Sequence, residues 1–145
     1  MSKEASAELR KCLESFVFQV NDIDWQSPYG PGKWRRIEVL GHLVDSAANN
    51  HLRFVRALLE EELAGSKYDQ LGCVRVQAYA SYPADQLVAL WVSYNLLLCH
   101  VMDQIPDSKR NTVCRIGENE PVSLDFLVTD YVSHLKAHLA QITGD

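Results

Sequence analysis

Apolar residues recur at spacings of three and four along four long stretches of this chain, and no stretch of similar length alternates apolar with polar residues. A period near 3.6 suits helices that turn one face to a shared core. The first stretch runs from Lys3 to Val20, with Leu9, Leu13, Phe16, Val17 and Val20 on its stripe. The second, Arg35 to Leu63, is the longest and carries Ile37, Leu40, Val44, Ala48, His51, Val55, Leu58 and Leu59. The third begins at Pro83, whose missing N–H does no harm in a first turn, continues through Leu87, Leu90, Trp91, Tyr94, Leu97, Leu98, Val101, Met102 and Ile105, and is stopped by Pro106. The fourth, Ser123 to Ile142, presents Leu124, Leu127, Val128, Tyr131, Leu135, Leu139 and Ile142, with Ser123 as N-cap and Asp125 near the positive end of the helix dipole. These stretches predict an all-α four-helix bundle in one domain, residues 1–145, without a sheet.

The connections are uneven. Pro28, Gly30, Pro31 and Gly32 exclude regular structure between the first two helices, and Trp25, Tyr29 and Trp34 are expected to pin that loop to the bundle or to line a pocket mouth. Between Gly65 and Tyr82 the pattern weakens, and Cys73 to Val76 reads as either a helical turn or an extended run. The polar segment from Pro106 to Pro121, around the apolar TVCRI, is longer than adjacent helices need, so it must cap the bundle or cross it.

Composition excludes several classes of function. A net charge of −5 gives no footprint for nucleic acid. No apolar run approaches the ~20 residues of a membrane span, and the first residues lack the apolar core of a signal peptide, so a cytoplasmic location is expected. Cys12, Cys73, Cys99 and Cys114 are scattered without a C-x-x-C and read as small apolar residues.

Histidines are the chemically telling residues. His134 and His138 lie four residues apart on the apolar side of the fourth helix, where they either share a metal ion or serve as bonded core residues. On the second helix, His51 falls on the apolar stripe and reads as a core or boundary residue. His42 shares the opposite stripe with Glu38, Asp45, Asn49, Arg53 and Arg56, which is either a solvated face or the wall of a wet cleft. Asp130 precedes His134 by one turn and is either a carboxylate that fixes the tautomer of that ring or a plain surface residue. His100 has no partnering motif and no assigned role.

Three segments carry a resemblance: PGKWRRIEVLGHLVDSAANNHLRFVRA, YPADQLVALWVSYNLLLCHVMDQIP and LVTDYVSHLKAHLAQI. In this order and spacing they resemble the DinB/YfiT-like superfamily of small metal-binding four-helix bundles, over nearly the whole chain. The resemblance implies up-down-down-up topology with long crossover connections, and a divalent ion held by His42, His134 and His138. Many relatives carry H-L-x-H-H-L in the last helix; here Ala137 stands at the fourth position of that run, while both implied ligand positions are kept.

Three neutral imidazoles suit Zn²⁺ or Ni²⁺ and leave a coordination position for water or substrate. Since similar proteins include thiol S-transferases and a thiol-dependent isomerase, the resemblance implies a metal-dependent S-transferase that uses a low-molecular-weight thiol. Asp45, Asn49 and Arg53 are then candidates to hold a polar or anionic cofactor. A hydrolase using metal-activated water is the alternative, and a non-catalytic metal- or small-ligand-binding stress protein is the third reading. The expected partner is a small molecule, with no nucleic acid or membrane, and the resemblance is consistent with a homodimer.

Overall fold

The computed structural model describes residues 2–144. Helix α1, Ser2–Gln19, buries Ala5, Leu9, Leu13 and Phe16, one residue per turn, and ends in a 3₁₀ turn at Val20–Asp22. In the loop that follows, Trp25, Tyr29 and Trp34 pack against the core. Trp25 stands edge-on to Phe16 at 6.3 Å, so the loop is pinned as its aromatics predicted. Helix α2, Arg36–Leu59, is opened by Glu38, whose carboxylate accepts the Arg35 backbone N–H at 2.9 Å.

The buried stripe of α2 differs from the predicted one. Leu40, Leu43, Ala47, Asn50, Phe54 and Ala57 form it, whereas Val44, Ala48, His51, Val55 and Leu58 are half-buried and Leu59 is 79% exposed. A step of one residue is 100° on the helix, and α2 is covered on several sides at once. Its flank toward the third long helix carries His51, whose Nδ1 is hydrogen-bonded to the Tyr94 hydroxyl at 3.0 Å, as a boundary residue should be.

Helix α2 stops four residues short of the predicted Leu63. Strand β1, Glu62–Gly65, pairs in parallel with β2, Val113–Ile116, and β2 pairs antiparallel with β3, Val122–Ser123. The expectation of no sheet is therefore corrected. Residues of good helix propensity are drawn into a strand because pairing Leu63 with Cys114 buries both side chains completely. Each strand is too short for its alternation to register in the sequence.

Helix α3, Gln70–Gln77, settles the reading of Cys73 to Val76 in favour of helix; Asp69 caps it by accepting the Gly72 N–H. A 3₁₀ turn at Tyr79–Ser81 leads to α4, Ala84–Asp103, with Pro83 just outside as N-cap. Helix α5, Leu124–Thr143, starts as expected: Ser123 Oγ accepts the Phe126 N–H at 3.0 Å. Asp125 does more than face a dipole, since it is buried and accepts from Ser2 Oγ at 2.7 Å and from Arg110 at 3.3 Å.

Contacts between helices fix their directions. Ser2 meets Asp125, so the starts of α1 and α5 adjoin and the two run parallel. Ser6 meets Cys99 and Phe16 meets Trp91 in an edge-to-face pair at 5.2 Å, so α4 runs against α1. Arg36 donates to the Ile142 carbonyl and Phe54 packs on Tyr131, so α2 runs against α5. The bundle is up-down-down-up, and the crossover between the parallel helices α2 and α4 carries β1, α3 and the Tyr79 turn. Among the described residues the thiols are free, with Cys99 and Cys114 buried as apolar residues, and no helix is long and apolar enough to cross a membrane.

Tyr79 crosses α2 where the helix has no side chain. A Cβ at Gly41 would collide with the Tyr79 ring. Gly to Ala in an exposed helix gains up to about 1 kcal/mol, but Gly41→Ala should lose about 1–3 kcal/mol through overpacking, as read by urea denaturation.

Candidate functional site

A cleft of about 530 Å³ lies between α2 and α5 and is walled by the connection after β1 and by the β2–β3 hairpin. His42, Ser46, Asn50 and Arg53 line it from α2, one residue per turn. His138, His134, Tyr131 and Asp130 line it from α5. The sheet missed in the sequence thus supplies a wall of the site.

His42 is only 4% exposed, on a stripe that an average helix would give to water. Its ring stands edge-to-face against that of His138, with centroids 4.7 Å apart, and Trp34 covers it at 5.5 Å. Its Nδ1 is buried with no hydrogen-bond partner. One turn along α2, Asp45 Oδ2 is also buried and unpartnered, while Asp45 Oδ1 accepts from the Tyr79 hydroxyl at 2.6 Å and from Gln77 Nε2 at 2.9 Å. A donor-capable atom and an acceptor, both buried and both unpaired, stand on one helix face. Burial, then the neighbouring His138, push the His42 pKa down to about 4 against the opposing pull of Asp45, so the ring is neutral at pH 7.

His138 is half-buried, and its Nδ1 is 2.9 Å from Gln141 Oε1. An amide oxygen only accepts, so His138 donates through Nδ1 and keeps its lone pair on Nε2, the form of a metal ligand. His134 departs from the expected burial: its side chain is 74% exposed, with Nε2 3.7 Å from Asp130 Oδ1. That separation is too long for a hydrogen bond. As the side chains stand, no three His, Cys, Asp or Glu residues among those described come together closely enough to hold a metal ion. The structure brings His42 and His138 together and puts His134 on the rim of the same cleft.

Of the other predicted residues, Arg53 lines the cleft and Asp45 and Asn49 do not. Asp45 sits behind His42, and Asn49 Nδ2 donates to the Asp45 carbonyl on its own helix. Ser46 and Asn50, one position further along, take their place. A wheel drawn from sequence cannot separate neighbours that share an arc of about 100°. Tyr68, also on the lining, was hidden in a segment without periodicity.

The depressed His42 pKa sets a stability prediction for the metal-free protein. Unfolded, the ring takes up a proton near its ordinary 6.5, and folded only near 4, so in that window the unfolded state binds more protons and stability rises with pH. Acidification from pH 6.5 to 4 should cost roughly 3 kcal/mol from this group. Urea denaturation should show that loss in the wild type and its absence in His42→Gln; parallel pH profiles for both would contradict it.

No family model matches the chain. It is 25% identical over 139 residues to a Geobacillus thermodenitrificans protein named "Putative metal-dependent hydrolase", an alignment covering 95% of this chain and 78% of that relative. It is 28% identical over 152 residues to "Putative metal-dependent hydrolase YfiT" of Bacillus subtilis, covering 97% and 78%. The solved structure of Bacillus subtilis YfiT, described as a probable metal-dependent hydrolase with an unusual four-helix bundle topology, superposes with a TM-score of 0.78 at 22% identity over 99% of this chain and 80% of that one. By sequence the chain is similar to YfiT and other proteins named putative metal-dependent hydrolases, and it shares the four-helix bundle fold of YfiT.

Proposed function

We propose that the cleft is the active site of a metal-dependent enzyme acting on a small molecule, with His42, His134 and His138 as ligands of a divalent ion such as Zn²⁺ or Ni²⁺. The observation that carries this reading is a buried, neutral imidazole with an unpartnered nitrogen, set against a second imidazole in the lone-pair form a metal requires. Pairing the two orphaned atoms, His42 Nδ1 and Asp45 Oδ2, would satisfy both and present Nε2 to the ion. The donor set fits: soft enough for Zn²⁺ or Ni²⁺, uncharged, and open on the cleft side.

The chain's own residues have distinct tasks in this reading. His134 leaves its position beside Asp130 and turns inward, a rotamer change available to an exposed side chain. Asp45, anchored by Tyr79 and Gln77 one turn from His42, would accept a hydrogen bond from His42 Nδ1–H once its free Oδ2 is brought within reach, leaving Nε2 as the ligating atom. Gln141 does the same for His138. Trp34 covers His42 and limits water to the cleft side. The ion would act as a Lewis acid and lower the proton affinity of a small nucleophile beside it.

Two nucleophiles divide the reaction class. The relatives' names favour water and hydrolysis. A low-molecular-weight thiol, giving an S-transferase, is favoured by the resemblance and by a cleft of about 530 Å³ with room for two small reactants. Purified protein should bind one Zn²⁺ per chain, and His42→Ala or His134→Ala should lower affinity at least 100-fold, with Asp45→Asn costing 10–100-fold as is usual for a group behind a ligand. Esters or amides turned over without thiol would assign hydrolysis. Electrophiles conjugated only when a thiol is present would assign transfer, and a wild type that takes up no stoichiometric metal would sink the proposal.

A further inference from the structure

Arg53 lies at the far end of the cleft from His42, eleven residues and so roughly 16 Å along α2. It is half-buried and donates to a single backbone acceptor, the Ser66 carbonyl, at 2.9 Å. No carboxylate among the described residues lies within 4.0 Å of its guanidinium, in contrast to Arg10, Arg56, Arg110 and Arg115, which all have one. Glu120 and Asp130, the acidic residues of the lining, leave it unpaired. Partial burial of a guanidinium without a counter-ion is unfavourable, and Arg36, which is also half-buried without a carboxylate, is compensated by acceptors on Ser27, Pro28 and Ile142 that Arg53 lacks. Four of its five N–H donors have no protein acceptor, in a fork that matches the oxygens of a carboxylate or phosphate.

The surroundings fit the same ligand. Lys67, exposed on the lining and without an ion pair, adds a second positive charge. Between His42 and Arg53 the α2 wall carries Ser46 and Asn50, while Ile116 and Val122 of the hairpin and Phe126 and Leu127 of α5 add apolar lining. The cleft is therefore cationic at one end and imidazole-lined at the other, with one polar and one partly apolar wall between them.

We infer that the Arg53 end is an anion subsite, and that the substrate or co-substrate is an amphiphile carrying a carboxylate or phosphate about 10–16 Å from its reacting group. This rests on the histidine end being the reacting end, but the subsite itself can be tested without metal. The full chain, stripped of metal, is titrated calorimetrically with octanoate and with octanol. Octanoate should bind at least tenfold more tightly. Arg53→Gln should cut that preference below twofold, Arg53→Lys should retain most of it, and His42→Ala should leave it intact. A lost hydrogen bond to Ser66 alone would weaken both probes equally, so the ratio separates recognition from structural damage. A wild-type preference below twofold, or one that survives in Arg53→Gln, would overturn the subsite. Zinc-loaded protein titrated with ω-mercaptoalkanoates of increasing length then tests the span: affinity should rise at least tenfold once the chain is long enough to join the two ends, and a length-independent affinity would overturn the proposed substrate length. Failure of zinc to bind would count against the metal reading while the octanoate ratio still decided the subsite.

Discussion

Coverage of α2 on three sides is the constraint on which the rest of the molecule depends. It lies against α4 through His51 and Tyr94, against α5 through Phe54 and Tyr131, and under the crossover through Gly41 and Tyr79. Between these contacts only a narrow strip of the helix, at Leu52, Arg56 and Leu59, faces water. Polar groups on its sequence must then be bonded inside the protein, left costly, or turned to a ligand. Asn50 takes the first course, donating to the Ser46 carbonyl on its own helix. His42 Nδ1 has no partner and Arg53 has one backbone acceptor, and in the proposed reading both side chains meet a ligand.

The crossover is what makes the enclosure possible. Parallel neighbours such as α2 and α4 cannot be joined by a tight turn, and the long connection between them is put to use. Its strand pairs with the hairpin before α5 to wall one side of the cleft, and its Tyr79 fixes Asp45 behind His42. Burial holds the Tyr79 phenol proton well above its usual range, and the adjacent Asp45 carboxylate adds to that, so it remains a donor to Asp45 throughout the neutral range. Topology, packing and the polarity of the site are thus linked through one segment.

Much of this was legible in the sequence. All seven apolar positions assigned to the last helix are buried, because an isolated stripe facing one core is what periodicity measures best. The bundle and the position of its loops followed from the same signal. The α2 stripe was misplaced because a helix covered on several sides has no single apolar face to find, and Leu43, Ala47 and Phe54 were passed over for residues on its flank. The sheet was invisible because β1 pairs with β2 across about fifty residues and each strand is too short to show a period. His134 reads as part of the apolar stripe, and its exposure needed coordinates because a wheel does not show where the neighbouring helix ends its cover. The unpaired state of Arg53 also needed them, since a charge on a wheel does not reveal whether a partner reaches it.

The account's central claim is that His134 joins His42 and His138 around one ion. X-ray absorption at the zinc edge, on protein loaded with one equivalent, tests it most directly. Three imidazole nitrogens at about 2.0–2.1 Å plus one light-atom ligand are predicted, falling to two imidazoles in His134→Ala. A wild-type spectrum with two or fewer imidazoles, or one unchanged by that substitution, would contradict it.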